Sequence, residues 1–225
     1  MIVNLIIPAK GQADGIYNKN LYKIEGKTLV YIACETALLC KNVNNVYIDT
    51  ESQEVIYEIK PLLSKGLKII NRPKALASSD IGPDEMIMYG LHSVSDCDVL
   101  LQMFSTTPMI TAETIDGCIE KFANSYPTYD SFISVTPRKD FLWRNPEPSV
   151  PVNFDSNSYP RTKDLDCLYA ESQSLYGIHV EKLLDRKKRV GQNPMLIEIP
   201  KLESFCVKSV EDFEIVESLY KSKRS

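Results

Sequence analysis

Short apolar runs alternate with helical patterns along the first 135 residues, and this alternation limits the possible folds more than any other feature. Apolar residues recur three and four positions apart between the runs, as at Leu29, Ile32 and Ala33, which indicates helices with one buried face. Repeated strand–helix units predict an α/β protein with an open, mostly parallel sheet and helices on both faces. Ligands of such sheets bind beyond the carboxyl ends of the strands. The runs typical of buried strands are 2–7, 45–48, 67–70, 99–103 and 131–135.

The pattern changes after residue 135. Residues 141–165 are rich in Pro, Asn, Asp and Ser and have no clear period. A loop of this length without regular structure is unusual in a compact domain unless it is functional. We therefore expect one domain over residues 1–225, with an arm or lid at 138–175 that leaves the sheet and returns through residues 175–180. A strand at 195–199 and a helix at 210–220, with Ser209 as its N-cap, complete the prediction.

Composition argues against several classes of function. The net charge of −4 disfavours a nucleic-acid surface or a polybasic membrane patch. The six cysteines form no C-x-x-C motif and there are only two histidines, so we expect buried, reduced thiols rather than a zinc site or a disulfide framework. No apolar run approaches the roughly 18 residues of a membrane span. We expect a cytoplasmic protein with no nucleic-acid and no membrane partner.

The first loop after the first strand combines glycines with cations. Gly11 and Gly15 allow backbone N–H groups to turn toward a ligand, and Lys10 and Lys19 add positive charge. Such a loop can hold a polyphosphate, although an ordinary strand–helix turn is the open alternative. The spacing is not that of a P-loop, which argues against a kinase or a P-loop switch.

Two later loops carry polar residues at predicted strand ends. Arg72 follows the third strand and could meet an anion, or it could be a surface arginine paired with Asp80 or Asp84. Gln102, in the fourth strand, could offer a donor and an acceptor to a ligand, or it could be a buried amide that fixes a turn. The basic run 185–189 is interpreted as a solvated helix end.

Taken together, four motifs follow one another in order at these loops. They are I-P-A-K-G…N-K-N-L, R-P…L-A-S, L-L-Q…T-T-P and R-T-K-D-L…Y-A-E-S-Q-S-L-Y. The chain resembles the cytidylyltransferases that make CMP-sialic acid, a family that also covers CMP-legionaminate, CMP-pseudaminate and, more distantly, CMP-Kdo synthetases. The resemblance implies a Rossmann-like α/β fold with a protruding dimerisation arm, and a homodimer. It also implies that CTP is joined to a nonulosonate-like sugar acid, with release of pyrophosphate and with Mg²⁺ as cofactor.

The resemblance also assigns roles to single residues. Lys10 stands where the family usually has an arginine that meets the triphosphate, and Lys19 and Asn20 match the family's Lys-Asn pair. The assigned catalytic residues are Lys10, Lys19 and Gln102; the nucleotide-binding ones are Gly11, Asn20, Arg72 and Ser78; those on the sugar-acid side are Arg161, Gln173 and Tyr176. In this assignment Arg161 pairs with the substrate carboxylate as a fork.

Three departures from the family affect the predicted activity. The Ser-Lys pair of the first loop is Ala13-Asp14 here, and the sugar-site Asn-Gly pair is Ser172-Gln173. The metal-binding Asp-x-Asp is replaced by Cys206 and Lys208, neither of which is a hard oxygen ligand. No protein ligand for Mg²⁺ is therefore identified: either Lys208 stands in for the charge of the metal, or the triphosphate and water hold the ion. The alternatives are a catalytically silent homologue that binds a nucleotide or a partner subunit, and a different nucleotide-dependent enzyme on the same fold.

Overall fold

The computed structural model describes residues 1–11, 18–78, 80–94 and 96–222. None of the helices in these ranges combines the length and the apolarity that crossing a membrane requires. The strands of the described ranges are β1 (Val3–Pro8), β2 (Lys23–Ile24), β3 (Lys27–Thr28), β4 (Asn45–Thr50), β5 (Lys68–Asn71), β6 (Val99–Met103), β7 (Ser131–Arg138), β8 (Trp143–Arg144), β9 (Val150–Pro151), β10 (Leu168–His179) and β11 (Pro194–Glu198). The α-helices are α1 (Leu29–Leu38), α2 (Gln53–Leu63), α3 (Pro83–Leu91), α4 (Ala112–Ala123), α5 (Val180–Arg186) and α6 (Val210–Ser222).

Seven strands form the central sheet in the order β11-β7-β10-β6-β1-β4-β5. Strand β10 runs antiparallel to both of its neighbours, and the other adjacent pairs are parallel. The central strand β1 reads VNLIIP and is buried along its whole length, as expected for a strand covered on both faces. The expected mostly parallel α/β sheet is confirmed.

The two faces of the sheet are covered by different helices. Leu5 and Ile7 of β1 point into a core shared with α1, α2 and α4. Ile6, between them, points to the opposite face and packs in a cluster with Ile87 of α3 and Leu183 of α5. Because successive side chains of a strand alternate in direction, this single strand anchors helices on both sides. The prediction of helices on both faces is confirmed.

Polar caps fix where several helices begin. Thr28, Ser52 and Thr111 each accept a hydrogen bond from a backbone N–H in the first turn of α1, α2 and α4. Ser209 does the same for α6, as expected, by accepting from the N–H of Asp212 at 3.1 Å. The Asp212 carboxylate in turn accepts from the N–H of Ser209 at 2.9 Å, which completes a reciprocal capping box.

The arm is more regular than its composition suggests. Strands β8 and β9 form a small antiparallel sheet, and β10 begins at Leu168 rather than near residue 175. Leu168 pairs with Arg138, so β7 and β10 continue together beyond the main sheet as a two-stranded ribbon. The sequence prediction was wrong here because the residues of this ribbon alternate between exposed and half-buried and form no apolar run. Four rings, of Phe141, Trp143, Phe154 and Tyr159, pack together at its side.

Candidate functional site

A cavity of about 480 Å³ opens at the carboxyl end of β1 and β6. Six segments line it: the end of β1 with the described part of the first loop, the start of α3, the residues after β6, the middle of β10, the loop after α5 and the segment before α6. This is the edge of the sheet at which the strand–helix pattern predicts a ligand site.

Lys10 and Asn20 form one corner of the cavity. The Lys10 ammonium donates to the carbonyl oxygens of Ser78, at 2.6 Å, and Ile81, at 3.2 Å. The buried Asn20 amide donates to the Lys10 carbonyl oxygen at 2.7 Å and accepts from the Ser105 hydroxyl at 2.6 Å. These contacts tie the first loop to the loop after β5 and to the segment after β6. They fix the base of a cationic corner, next to which Lys19 also lines the cavity.

Gly11 permits a close approach between the first loop and helix α2. A Cβ at this position would lie 2.8 Å from the Ser52 Cβ, so a side chain would force the loop away. The Gly11 N–H donates to Glu51 Oε1 at 2.7 Å. The predictions made for Gly15, and for the departure at Ala13-Asp14, fall on residues outside the described ranges.

Tyr176, Phe104 and Arg189 form a second corner. The Arg189 guanidinium lies 3.8 Å from the centroid of the Tyr176 ring and 5.7 Å from that of Phe104, and both rings line the cavity. Burial raises the pKa of Tyr176 above its ordinary value, and the bond from its hydroxyl to Glu171 at 2.7 Å raises it further, so this phenol stays protonated. The interpretation of 185–189 as a solvated helix end was wrong for Arg189, which lines the cavity. The sequence alone does not distinguish this arginine from the three cations that precede it.

Gln102 lies directly behind this corner. It is fully buried, its amide donates to the Pro83 carbonyl oxygen at 3.2 Å, and its carbonyl oxygen is 3.4 Å from Arg189 Nη1. Gln102 is therefore a buried amide, as in the alternative considered above, but it fixes the start of α3 rather than a turn. It also supports the arginine that faces the cavity.

A bulge in β10 brings Gln173 to the cavity. The pairing with β7 shifts register between Glu171 and Tyr176, and Gln173 has φ of 59°, in the left-handed region that favours glycine. The Ser172 and Ser134 hydroxyls, 2.6 Å apart, hold the bulge to the sheet. The bulge places the Gln173 side chain in the cavity wall. The family that the chain resembles has a glycine at this position.

Cys206, Val207 and Lys208 form the third corner. The Val207 N–H donates to the Thr106 carbonyl oxygen at 2.7 Å, and the Cys206 thiol lies 3.4 Å from Thr106 Oγ1. The Lys208 N–H donates to Asp212 at 2.9 Å and holds the pKa of that carboxyl below its ordinary value. This segment is thus anchored on one side to Thr106, just after β6, and on the other to the cap of α6.

The donor set at this corner does not fit Mg²⁺. A thiol and an ammonium replace hard oxygen ligands, and no group of three His, Cys, Asp or Glu side chains suited to a metal occurs among the residues the structure describes. What the lining does supply is positive charge, from Lys10, Lys19, Arg189 and Lys208. No carboxylate accompanies these cations among the described lining residues, so the cavity is suited to a polyanion.

Arg72 lies outside the cavity wall. Its Nε and Nη2 donate to the two Asp49 oxygens at 3.0 and 2.7 Å, and both side chains are inaccessible to solvent. Burial raises the pKa of Asp49, while the hydrogen bonds and charge of Arg72 oppose that rise. The surface pairing with Asp80 or Asp84, considered as an alternative, does not occur. Arg72 instead joins the ends of β4 and β5.

Arg161 lies in the arm and does not line the cavity. Its side chain is 73% exposed and its Nε donates to Asp164 at 2.6 Å. Of the residues assigned from the sequence, Ser78 and Gln102 contact residues of the wall. Gly11 follows Lys10 in the chain and contacts Glu51 and Ser52 instead, and Arg72 and Arg161 lie elsewhere. The structure brings together Lys10, Lys19, Asn20, Gln173 and Tyr176.

Comparison with known proteins places the chain in a family. The model of a family described as cytidylyltransferase matches residues 4–223. A Helicobacter pylori protein named pseudaminic acid cytidylyltransferase and UDP-2,4-diacetamido-2,4,6-trideoxy-beta-L-altropyranose hydrolase is 24% identical over 205 residues, covering 88% of this chain and 38% of that protein. N-acylneuraminate cytidylyltransferase A of Danio rerio is 24% identical over 179 residues, covering 77% of this chain and 40% of that protein. The chain therefore spans less than half the length of these two relatives.

The fold has a counterpart among solved structures. The structure of CMP:2-keto-3-deoxy-manno-octonic acid synthetase complexed with CTP has a TM-score of 0.67 at 14% identity, covering 99% of this chain and 100% of that one. At this identity the similarity shows the fold alone, which is Rossmann-like as expected. Because the family match extends over nearly the whole chain, the protein belongs to the cytidylyltransferase family.

Proposed function

We propose that this protein transfers a cytidylyl group from CTP to a hydroxyl of a nonulosonate-like sugar acid. The observation that carries the proposal is the cavity itself, in which Lys10, Lys19, Arg189 and Lys208 face a space of about 480 Å³ without a carboxylate among the described lining residues. Such a lining suits a triphosphate and an acid together. The names of the two relatives, which are cytidylyltransferases of sugar acids, support the choice of substrates.

The proposed reaction is a displacement at the α-phosphorus. An oxygen of the acceptor hydroxyl forms a bond to that phosphorus, and its proton passes to solvent. The bond between the α-phosphorus and the bridging oxygen to the β-phosphorus breaks, so pyrophosphate leaves with the electron pair. Negative charge grows on the leaving group, and fixed cations nearby lower the energy of that state.

The roles proposed for the chain follow its geometry. Lys10 and Lys19 stabilise the triphosphate and the leaving pyrophosphate, and Asn20 holds the Lys10 backbone in place. Gly11 and Ser78 shape the loops on either side of Lys10, and Arg72 joins the strand ends behind them. Gln102, Gln173 and Tyr176 belong to the acceptor side. Mg²⁺ remains in the proposal as an ion carried by the triphosphate, with no described residue assigned to hold it.

A catalytically silent, nucleotide-binding homologue is the second candidate. The observation that favours it is the thiol and ammonium at Cys206 and Lys208, in the wall of the cavity. A protein that had lost a metal site but kept the lysines could still bind a nucleotide. A cytoplasmic location, and the absence of nucleic-acid and membrane partners, stay predictions.

The deciding experiment measures pyrophosphate release. Purified protein is incubated with CTP, Mg²⁺ and a panel of sugar acids, while a thermal-shift screen compares the four nucleoside triphosphates. We expect release with at least one acid, and a loss of about 100-fold in kcat/KM for Lys19→Ala. Lys23→Ala removes an exposed lysine that does not line the cavity and should leave the rate unchanged. CTP binding without release would favour the silent homologue. Absence of CTP binding would overturn the transfer proposal, and absence of binding by all four triphosphates would overturn the silent homologue too.

We also propose that the arm mediates a homodimer. The four packed rings leave Trp143 48% and Tyr159 62% exposed, which is a large apolar surface for one protruding element. Sedimentation equilibrium should give the mass of a dimer, and Trp143→Ala should weaken it about tenfold. Tyr57→Ala, at a ring on α2 that is 76% exposed, is the matched control. A monomer mass for the unmodified protein at every concentration would contradict the proposal.

A further inference from the structure

The loop that carries Arg189 is fixed at the wall of the cavity. The Arg189 N–H donates to Asp84 Oδ1 at 2.9 Å, and the Lys188 ammonium lies 3.1 Å from Asp84 Oδ2. Asp84 belongs to the first turn of α3, whose start is held in turn by Gln102. The loop after α5 is therefore clamped to the helix that lines the cavity. A guanidinium that begins from such a fixed backbone loses little freedom when it binds a ligand.

The Arg189 side chain has donors available for a ligand. Its guanidinium carbon lies 3.8 Å from the centroid of the Tyr176 ring, and among the described residues its side chain makes one hydrogen bond, a long contact of 3.4 Å from Nη1 to Gln102 Oε1. Among the residues that the structure describes, no carboxylate lies within ion-pair distance of it. A guanidinium carries five N–H donors in a rigid fork. Most of this fork is thus left for a planar, two-oxygen anion.

The two arginines that were assigned to the site from the sequence are placed differently. Both Arg72 and Arg161 already contact a carboxylate, that of Asp49 and that of Asp164. Arg161 is also in the exposed arm, outside the cavity wall. The lysines Lys10 and Lys19 lie at the first loop, whereas Arg189 lies over the aromatic corner formed by β10 and the segment after β6. The cavity thus has a lysine corner suited to phosphates and a separate arginine corner.

We propose that Arg189 binds the carboxylate of the acceptor, and so selects sugar acids over neutral sugars. The inference rests on the proposed function, which supplies an acidic acceptor. The Tyr176 ring holds the guanidinium by a cation–π contact, and the Gln102 carbonyl oxygen accepts a long hydrogen bond from its Nη1. The acceptor then lies across the aromatic corner, with its carboxylate at Arg189 and its attacking hydroxyl toward the triphosphate at Lys10 and Lys19.

The test compares acids with their methyl esters. Equilibrium binding of N-acetylneuraminate and of 3-deoxy-manno-octulosonate, each beside its methyl ester, is measured by NMR for the unmodified protein and for variants. We expect the acids to bind more tightly than the esters, and Arg189→Ala to weaken acid binding about 10- to 100-fold while leaving ester binding unchanged. Arg189→Lys, which keeps the charge but not the fork, should fall between. Lys182→Ala removes an exposed cation on α5, outside the lining and outside the clamp, and should keep the preference for acids.

Each other outcome is informative. A preference for acids that survives in Arg189→Ala but disappears in Arg161→Ala would overturn the proposal, as would the lack of any preference in the unmodified protein. Weakened CTP binding in Arg189→Ala with unchanged acid binding would also overturn it, since the arginine would then serve the nucleotide. Failure of CTP to bind the unmodified protein would overturn the proposed function instead, and the acid–ester comparison would still report on Arg189. Unchanged melting temperatures of the variants exclude a folding defect.

Discussion

Two arginines lie at the same edge of the sheet and have opposite surroundings. At the end of β4 and β5, Arg72 is inaccessible to solvent and forms two hydrogen bonds to the Asp49 carboxylate. Near β6 and β10, Arg189 is half-buried, rests on the Tyr176 ring and faces a cavity without a carboxylate among its described lining residues. One guanidinium is already neutralised by the protein, and the other keeps its charge for a ligand.

The difference separates a structural cation from a binding one. A buried charge must be paired, because leaving it unpaired in a low-dielectric interior costs several kcal/mol. A cation that keeps some contact with water and stacks on an aromatic ring can remain without a counter-ion in the folded protein. The position of an arginine at a strand end is therefore weak evidence that it binds a ligand. Whether a carboxylate of the protein already pairs with it is stronger evidence.

The largest expected effect on stability comes from removing Arg72, with the removal of Arg189 as its comparison. Arg72→Met leaves Asp49 buried without a partner and should lower the free energy of unfolding by about 3–5 kcal/mol. Arg189→Met should cost about 1 kcal/mol, since it loses a cation–π contact and one long hydrogen bond to Gln102 at a partly exposed site. Urea unfolding followed by circular dichroism measures both. A larger loss for Arg189→Met than for Arg72→Met would reverse the comparison.

The Arg72→Met loss should also depend on pH in a defined direction. Burial already raises the pKa of Asp49, and removing Arg72 takes away the contacts that oppose the rise. The folded state then binds more protons than the unfolded state at pH values between the two pKa values, so the stability of the variant falls as pH rises through this window. The defect should therefore be smaller at about pH 5 than at about pH 7. The double variant Asp49→Asn, Arg72→Met leaves no buried charge and should recover much of the loss.

The fold could be predicted from the sequence because its signals are local. Fully buried strands such as β1 appear as continuous apolar runs, and helices such as α4 show one apolar face, so both patterns are visible in short windows. The extension of β10 to Leu168 escaped prediction, since its outer residues pair only with β7 and bury little side-chain surface.

The site could be predicted only in part, because only some of its residues are placed by local signals in the sequence. Lys10, Lys19 and Asn20 belong to the segment that connects β1 to the next strand, so the prediction of β1 places that segment at the edge of the sheet. Arg189 reaches the cavity because Asp84, more than a hundred positions earlier in the chain, holds its loop. Such a contact between distant segments has no period and no local spacing. The partner of Arg72, at Asp49 in the neighbouring strand, is hidden in the same way.

Glu51 links the structural arginine to the site. Its Oε1 accepts from the Gly11 N–H at 2.7 Å, and its Oε2 lies 3.8 Å from Arg72 Nη1. The close approach of Gly11 to Ser52 leaves the start of the first loop little room to move. Arg72 can thus affect the cavity through Glu51 and the loop that carries Lys10.

The smallest expected effect tests this link. Glu51→Ala removes the acceptor of the Gly11 N–H, so the start of the loop is held less firmly and KM for CTP should rise about fivefold, while KM for the acid stays within about twofold. Glu51→Gln keeps a carbonyl oxygen that can accept the same bond, and we expect it to restore most of the CTP affinity. Glu54→Ala removes an exposed carboxylate three residues away, on the first turn of α2, and serves as the control. Steady-state kinetics with each substrate varied in turn measures the difference. Equal KM changes for both substrates, or the same change in Glu54→Ala, would show that Glu51 does not position the loop and does not link Arg72 to the site.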